Sequence, residues 1–349
     1  MHASTFPVLA VLACLVPLTA QDSAPQPSPK LEAFAPFVGH WTGSGTVVPE
    51  EDGAAVEWTA TVEFAPVLGG FFFQDDTVVE MVGMPTPLVM RTVYGWDAEN
   101  ERYVAYGIGN TGEAQLTRVH FPKPGTMVMA GSGMRFGQLT LGRTVWMAKG
   151  DSTSFRSERA NDAGSWYTEV QGRMQRVETA PKPAPAEASF MDMPVPEPIE
   201  KLLDAMAGTY GVAGAMTMAP GMPEMKVRGT ERIGAAFGGH ALHSRVEGYA
   251  DNDEVLYVGD TYMTWNEVDR CYDLVMFDNM GAVAKAQNRF AEDGSLVGVF
   301  SGPMMGQLTV QRSVTKFGER GVQEIYGHTI SGTHPPMETF RMHYTRKAD

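Results

Sequence analysis

One spacing is written twice in this chain. Gly39-His40-Trp41-Thr42-Gly43-Ser44-Gly45 has its echo 169 positions on, where Gly208 and Gly214 answer Gly39 and Gly45. The same offset carries Gly69-Gly70 to Gly238-Gly239, Trp96 to Trp265, Tyr103 to Tyr272, Asn110-x-Gly112 to Asn279-x-Gly281 and Arg143 to Arg312. It also carries Gly137-Gln138-Leu139-Thr140 to the identical Gly306-Gln307-Leu308-Thr309. A repeat of about 150 residues plus a linker means tandem domains, not a solenoid of short units. With 349 residues, each half is long enough to bury a core of its own.

Within each half the pattern changes from helical to period two. Leu31, Phe34 and Phe37-Val38 stand at near-helical spacing, and in the second half Ile199, Leu202, Leu203 and Met206 form one face behind Pro198. After each short helix come alternating, β-branched and aromatic runs such as Val56-x-Trp58-x-Ala60-x-Val62-x-Phe64. Turn signals recur every 8 to 12 residues, which gives roughly ten strands per domain. An antiparallel meander of that length closes most economically on itself, because closure removes exposed edges. The expected fold is all-β: two tandem antiparallel barrels, each preceded by a short helix.

The remaining segments set the context. Residues 1 to 20 hold no charged side chain, carry an apolar run from Phe6 to Ala20, and read as a secretory signal peptide. The alternative is a lipoprotein anchored at Cys14. Both place the protein outside the cytoplasm, secreted or periplasmic. The apolar run is too short to span a membrane. Residues 21 to 30 read as a disordered tail, 31 to 178 and 197 to 349 as the two domains, and the Pro/Ala-rich stretch 179 to 196 as a stiff, extended linker. That linker spaces the barrels apart or leaves them docked through surfaces the sequence does not identify. A net charge of −14 without a Lys/Arg cluster argues against nucleic acid. Outside the leader Cys271 is alone, which leaves no intramolecular disulfide and fits a small buried hydrophobe.

Motifs for chemistry are sparse. Gly107-Ile108-Gly109-Asn110-Thr111-Gly112 matches the dinucleotide fingerprint letter for letter, but a strand follows where a helix is required, so it reads as a hairpin. The run Met216, Met218, Met222, Met225 contains no His or Cys to complete a metal site and reads as core or cavity lining. Period two puts His243, Arg245 and Glu247 on one face of a strand, and Arg341 and His343 on one face of the last strand. Facing inward they would line a cavity suited to an acid headgroup, with His243, Glu247 and His343 as acid/base candidates; facing outward they are solvated strand faces. The offset partners of these five in the first half are Gln74, Asp76, Val78, Gly172 and Met174. The expected ligand is a small apolar or amphipathic molecule, and no cofactor or metal is called for. A solid pair of barrels serving as a structural or partner-binding unit is the competing reading.

Residues 203 to 347 resemble the bacterial domain-of-unknown-function family numbered 1579. The resemblance rests on Gly208-Thr209-Tyr210, Met218-Ala219-Pro220-Gly221-Met222-Pro223, Gly229-Thr230-Glu231-Arg232, Gly238-Gly239, Trp265-Asn266 and Tyr344-Thr345-Arg346. Through the repeat it extends to residues 37 to 176. It implies a calycin- or lipocalin-like barrel and no established activity. The family's aromatic after Gly-Gly is replaced here by His240-Ala241, and the first half lacks G-T-E-R. Gly39-x-Trp41-x-Gly43-x-Gly45 is also similar to the opening of nitrobindin-type haem barrels, whose iron ligand is a late histidine. The first half has no histidine after His120, and the second has His343 without the full opening, which counts against haem.

Overall fold

The computed structural model describes residues 25–49, 53–135, 138–160, 164–179, 189–217, 222–304 and 307–348. The leader, Cys14 and residues 180–188 of the linker lie outside these. The first barrel runs through β1 (Gly39–Val47), β2 (Val56–Val67), β3 (Phe72–Met81), β4 (Leu88–Asp97) and β5 (Arg102–Gly109), then β6 (Ala114–Lys123), β7 (Thr126–Arg135), β8 (Gln138–Lys149), β9 (Ser152–Ala160) and β10 (Trp166–Val177). The second runs through β11 (Gly208–Met216), β12 (Met225–Ala236), β13 (Ala241–Tyr249), β14 (Val255–Asn266) and β15 (Cys271–Asp278), then β16 (Val283–Phe290), β17 (Leu296–Met304), β18 (Gln307–Gly318), β19 (Gly321–Ser331) and β20 (Met337–Arg346). Each is a closed antiparallel meander in which the first strand pairs with both the second and the last.

Closure explains the glycine spacing that opens each repeat. A Cβ on Gly43 would overlap the Arg173 carbonyl, and one on Gly45 would overlap the Gln171 carbonyl and the Trp58 ring; Gly214 meets the Arg341 carbonyl in the same way. The first strand can therefore approach the last only where it has no side chain. The helices seal one end of each barrel. Residues Pro29–Phe37 form a 3-10 helix, and its three residues per turn put Leu31, Phe34 and Phe37 inward in one eclipsed row. It starts two residues before the expected domain boundary, and Ser28 caps it, so the end of the expected disordered tail is docked. In the second half Glu197–Met206 is α-helical (α1) with Ile199, Leu202 and Met206 buried, worth about 2 kcal/mol each. The same bond ties each helix to its barrel: Trp41 Nε1 donates to the Phe37 carbonyl at 2.8 Å, and Tyr210 OH donates to the Met206 carbonyl at 2.9 Å.

The offset is not constant to the end. β18 and β19 carry one extra residue, Gln323, between the pairs Phe317–Val322 and Lys316–Glu324, where β8 and β9 pair without a shift. Beyond it the repeats correspond at 170 positions: Gly45 faces Gly172, while Gly214 faces Met342. The equivalents of Arg341 and His343 are therefore Gln171 and Arg173, not Gly172 and Met174. The bulge residues of the two last strands, Glu169 and Thr339, are partners at the new offset.

The barrels are docked. A shared apolar cluster joins Phe72, Val93, Tyr106 and Ile108 to Ala241, Tyr262, Val275 and Phe277, which are their own repeat equivalents. Phe72 and Phe277 meet edge to face at 5.2 Å between ring centroids. The turn glycine Gly112 lies against His240, and Gly281 lies against Phe71, so each contact is made twice with roles exchanged. The equivalent ion pairs carry reversed charge: Asp76–Arg91 across β3 and β4, Arg245–Asp260 across β13 and β14. Arg91 Nη1 also reaches the Tyr262 hydroxyl at 3.2 Å. The described end of the linker straps this seam. It turns at Phe190–Asp192, where Met191 has φ 54°, so it is not extended there. The Phe190 amide bonds to the Asn110 carbonyl, and Ser189 Oγ lies 2.9 Å from His240 Nε2. We expect Phe277→Ala to cost about 3 kcal/mol and to split urea unfolding into two transitions, one per barrel, read by near-ultraviolet circular dichroism.

Candidate functional site

Residues paired across strands share a face, so the register identifies the inner wall of each barrel. In the first barrel the buried Trp58, Val62, Phe64, Asp75 and Tyr94 fix it, and the rungs Val62–Thr77–Met90–Gly109 and Phe64–Asp75–Thr92–Gly107 follow from pairing. The inward positions near the helix are packed. Phe34 is surrounded by Phe64, Phe73, Tyr94, Tyr103 and Phe121 at 5.0 to 6.4 Å. Further along the barrel the inward positions of β3 to β9 include Thr77, Met90, Thr92, Gln115, Thr117 and Ser157, and every one of these is partly accessible to solvent.

The second barrel differs at these same rungs. Gly107 and Gly142 are answered by Met276 and Gln311, which are buried, and Gly131 by Phe300. Thr77, Leu88 and Thr117 are answered by the buried Val246, Tyr257 and Ala286. One apolar cluster runs through the second interior from Ile199 to Tyr344, whereas the first interior is divided between two clusters. Among the described residues, side chains bury these inward positions of the second barrel, while those of the first on β3 to β9 stay partly exposed. A Cβ on Gly107 would find only Thr92 Oγ1, at 3.8 Å. Of the glycines of the apparent dinucleotide fingerprint, Gly107 is the inner-wall position on β5 with space beside it; Gly109 packs against Met90 and the Val89 carbonyl, and Gly112 is the turn glycine against His240.

At the level where the packed and the partly exposed inward positions meet stands Asp75, 8% exposed. Its Oδ2 accepts from Tyr94 OH at 2.6 Å, and its Oδ1 from Thr77 Oγ1 at 3.2 Å. Burial pushes its pKa up to about 6 against the opposing effect of the Tyr94, Thr77 and Thr92 hydrogen bonds. It borders a cavity of about 20 Å³, room for one water-sized group, together with Trp41, Phe64, Tyr94, Trp146 and Thr153. Trp146 stacks on Phe155 at 4.4 Å, and its buried Nε1 has no hydrogen-bond partner. Towards the open end Arg159 pairs with Glu169 at 2.5 Å.

The second barrel buries its own acid at a different position. Glu231, from Gly229-Thr230-Glu231-Arg232, points inward and accepts from Ser244 Oγ and, at 2.7 Å, from Tyr344 OH. Burial raises its pKa to about 7. Ser244, on the adjacent β13, is the repeat equivalent of Asp75, so the two interiors place their carboxylates on adjacent strands, each bonded to a tyrosine hydroxyl.

The five residues singled out from the sequence lie elsewhere. His243 and Arg245 face outward on β13 and share Asp260, each at 2.9 Å, with His243 stacked on Tyr262 at the seam between barrels. Glu247, also outward, accepts from Tyr249 OH at 3.2 Å. Arg341 is held by Glu324 and Glu338, both at 2.6 Å. His343 is 65% exposed and 4.0 Å from Glu324. β13 and β20 are separated by β11 and β12, which places His343 about 14 Å from the His243 strand. Arg341 and His343 border an open cleft of about 230 Å³ beside β11, with Glu224 and Glu338, while His243, Arg245 and Glu247 lie away from it. None of the five enters the barrel interior, and His343 points away from the space a haem would occupy. The reason is register: the inward residues of those strands are Leu242, Ser244 and Val246, and Phe340, Met342 and Tyr344. Of the methionine run, Met216 is buried in the core and Met222 is half exposed, while Met218 lies outside the described residues. The signal missed in the sequence was the size difference between repeats at Gly107/Met276 and Gly142/Gln311, which has meaning only once the inward face is known.

The buried acids give a pH dependence of defined sign. Each has a folded pKa above its unfolded value, so the folded state binds more protons, and stability falls as pH rises from the unfolded to the folded pKa. For Glu231 the window is 4.5 to about 7, and the loss about 3 kcal/mol. Glu231→Gln should remove this part of the slope, making the variant the more stable protein at pH 8 in urea unfolding; an unchanged slope would place the titration elsewhere.

Among solved structures, similarity is found to Rv2717c from M. tuberculosis, with 14% identity over 44% of this chain and 100% of that one, at a TM-score of 0.36. A DUF3598-family protein of unknown function from Nostoc punctiforme aligns over 92% of this chain and 100% of its own, with 10% identity and a TM-score of 0.27. A putative outer membrane protein from Bacteroides fragilis covers 90% of this chain and 99% of its own, at 7% identity and a TM-score of 0.22. Likenesses this distant carry no inference about function. None of the curated proteins matches the sequence. No helix among the described residues is long and apolar enough to cross a membrane. The resemblance read most fully in the second repeat is matched directly in the first: residues 26–176 match the model of the family described as "Protein of unknown function (DUF1579)".

Proposed function

We propose that the protein is a secreted or periplasmic binding protein whose first barrel receives a small apolar or amphipathic molecule, while the second serves as its filled, docked support. The apolar leader supports export. The observation that carries the binding reading is the difference between the repeats at equivalent inward positions: Gly107, Gly131, Gly142 and Leu88 in the first against Met276, Phe300, Gln311 and Tyr257 in the second. A closed barrel loses stability wherever its interior is left unfilled, since a missing buried methylene costs about 1 kcal/mol. One repeat shows that this fold can be filled. The other keeps a partly exposed inner wall that is apolar at Leu88 and Met90 and hydroxyl-bearing at Thr92, Thr117 and Ser157. That mixture suits an amphipathic guest.

The test is to close the first barrel with the second barrel's own side chain. Gly107→Met should fit without backbone movement and weaken binding of the neutral fluorophore N-phenyl-1-naphthylamine at least about tenfold. Met276→Gly, in the filled barrel, serves as the control. Equal binding by wild type and Gly107→Met would place the apolar site elsewhere, and no binding by either would favour the solid, structural reading.

A further inference from the structure

The receptacle has a polar floor, and its chemistry narrows the guest. Among the described residues of the first barrel's inner wall, Arg159 and Glu169 neutralise each other, which leaves Asp75 as the charge without a counter-charge. Its contacts are the hydroxyls of Tyr94, Thr77 and Thr92, and the nearest other charge, Asp76, is of the same sign. Neutral hydroxyls donate hydrogen bonds but do not cancel a buried charge, so an ionised Asp75 is under-compensated. The cavity that Asp75 borders is walled by the rings of Trp41, Phe64, Tyr94 and Trp146. A carboxylate among aromatic faces is the environment that favours a cation, through a charge-assisted hydrogen bond to the acid and attraction to the ring faces. The space matches one ammonium group. The rung Asp75–Thr92–Gly107 leads from it to the partly exposed part of the inner wall, along which an attached alkyl chain would lie.

We propose that the Asp75 cavity is the subsite for the protonated amine of an amphiphilic ligand, and that the first barrel rejects carboxylate-headed amphiphiles of the same chain length. This rests on the reading of the first barrel as a receptacle. A fatty acid head would meet Asp75 as a like charge in a water-poor site, and Arg159, the inward cation among the described residues, is already paired. The unpartnered Nε1 of Trp146 on the same cavity remains to bond an acceptor next to the ammonium, such as a hydroxyl on the neighbouring carbon.

The experiment uses the full mature chain, with dodecylamine, dodecan-1-ol and dodecanoate as competitors for bound N-phenyl-1-naphthylamine, all below their micelle concentrations. The amine should displace the fluorophore at least about tenfold more effectively than the alcohol, with dodecanoate weakest. Asp75→Asn should erase the preference for the amine and leave the alcohol's affinity within about twofold. Because that variant removes a buried bond to Tyr94, the wild-type pH profile is a second measure. Amine affinity should rise from pH 5 to pH 7.5 as Asp75 ionises, around its value of about 6, while alcohol affinity stays flat. An alcohol or acid that competes as well as the amine overturns the amine subsite and leaves the receptacle standing. If no amphiphile displaces the fluorophore, or none binds at all, both readings fall.

Discussion

The contact on which the structure depends is the one between the first and last strand of each barrel. Ten antiparallel strands leave two edges of unpaired backbone unless the sheet closes, and closing requires β1 and β10 to approach with their inner faces crowded together. Gly43, Gly45 and Gly172 make that approach, and Trp58 lies over the space that two absent side chains leave. The second barrel repeats the approach at Gly214 but lays Met342 where the first has Gly172. The motif that announces the repeat is thus the seam at which each barrel shuts.

Once closed, a barrel is defined by the volumes of its inward side chains. The backbones of the two repeats agree strand for strand, yet the interiors have diverged in opposite directions. In the second, Tyr257, Met276, Gln311 and Phe340 are all 2% exposed or less, as close packing requires of a core that only holds itself together. In the first, glycines stand at 107, 131 and 142, and the inward Thr77, Met90, Thr92, Gln115 and Thr117 beside them stay partly exposed. The cost in stability is offset by the packed helix end, by Trp146 and Phe155 stacking, and by docking to a solid neighbour.

Docking has the form of a homodimer interface built within one chain. Equivalent residues meet about an approximate two-fold, and His240 and Phe71 play the same part on opposite sides. The exchange from phenylalanine to histidine lets the second copy bond Ser189 of the linker as well as fill the contact. Reversal of the ion pair, Asp76–Arg91 against Arg245–Asp260, distinguishes the two surfaces electrostatically, which favours pairing of unlike barrels over pairing of like ones.

The sequence by itself determined the architecture: the two copies, about ten strands in each, closure, and a helix before each. These follow from a long-range repeat and from period-two patterning, both of which survive small errors in strand ends. It did not determine which side of a strand faces the core, because a shift of one residue exchanges the faces. That is why His243, Arg245, Glu247, Arg341 and His343 stood out as a site when their neighbours Ser244 and Tyr344 are the residues inside. It is also why one inserted residue, Gln323, misaligned the last two strands of the comparison between repeats. Asp75, Tyr94 and Trp146 share a small volume through β3, β4 and β8, which no local pattern connects. Tertiary structure alone decided which inward residues are buried and which stay partly exposed, since that is a property of side chains that meet across a closed sheet and of none of them singly.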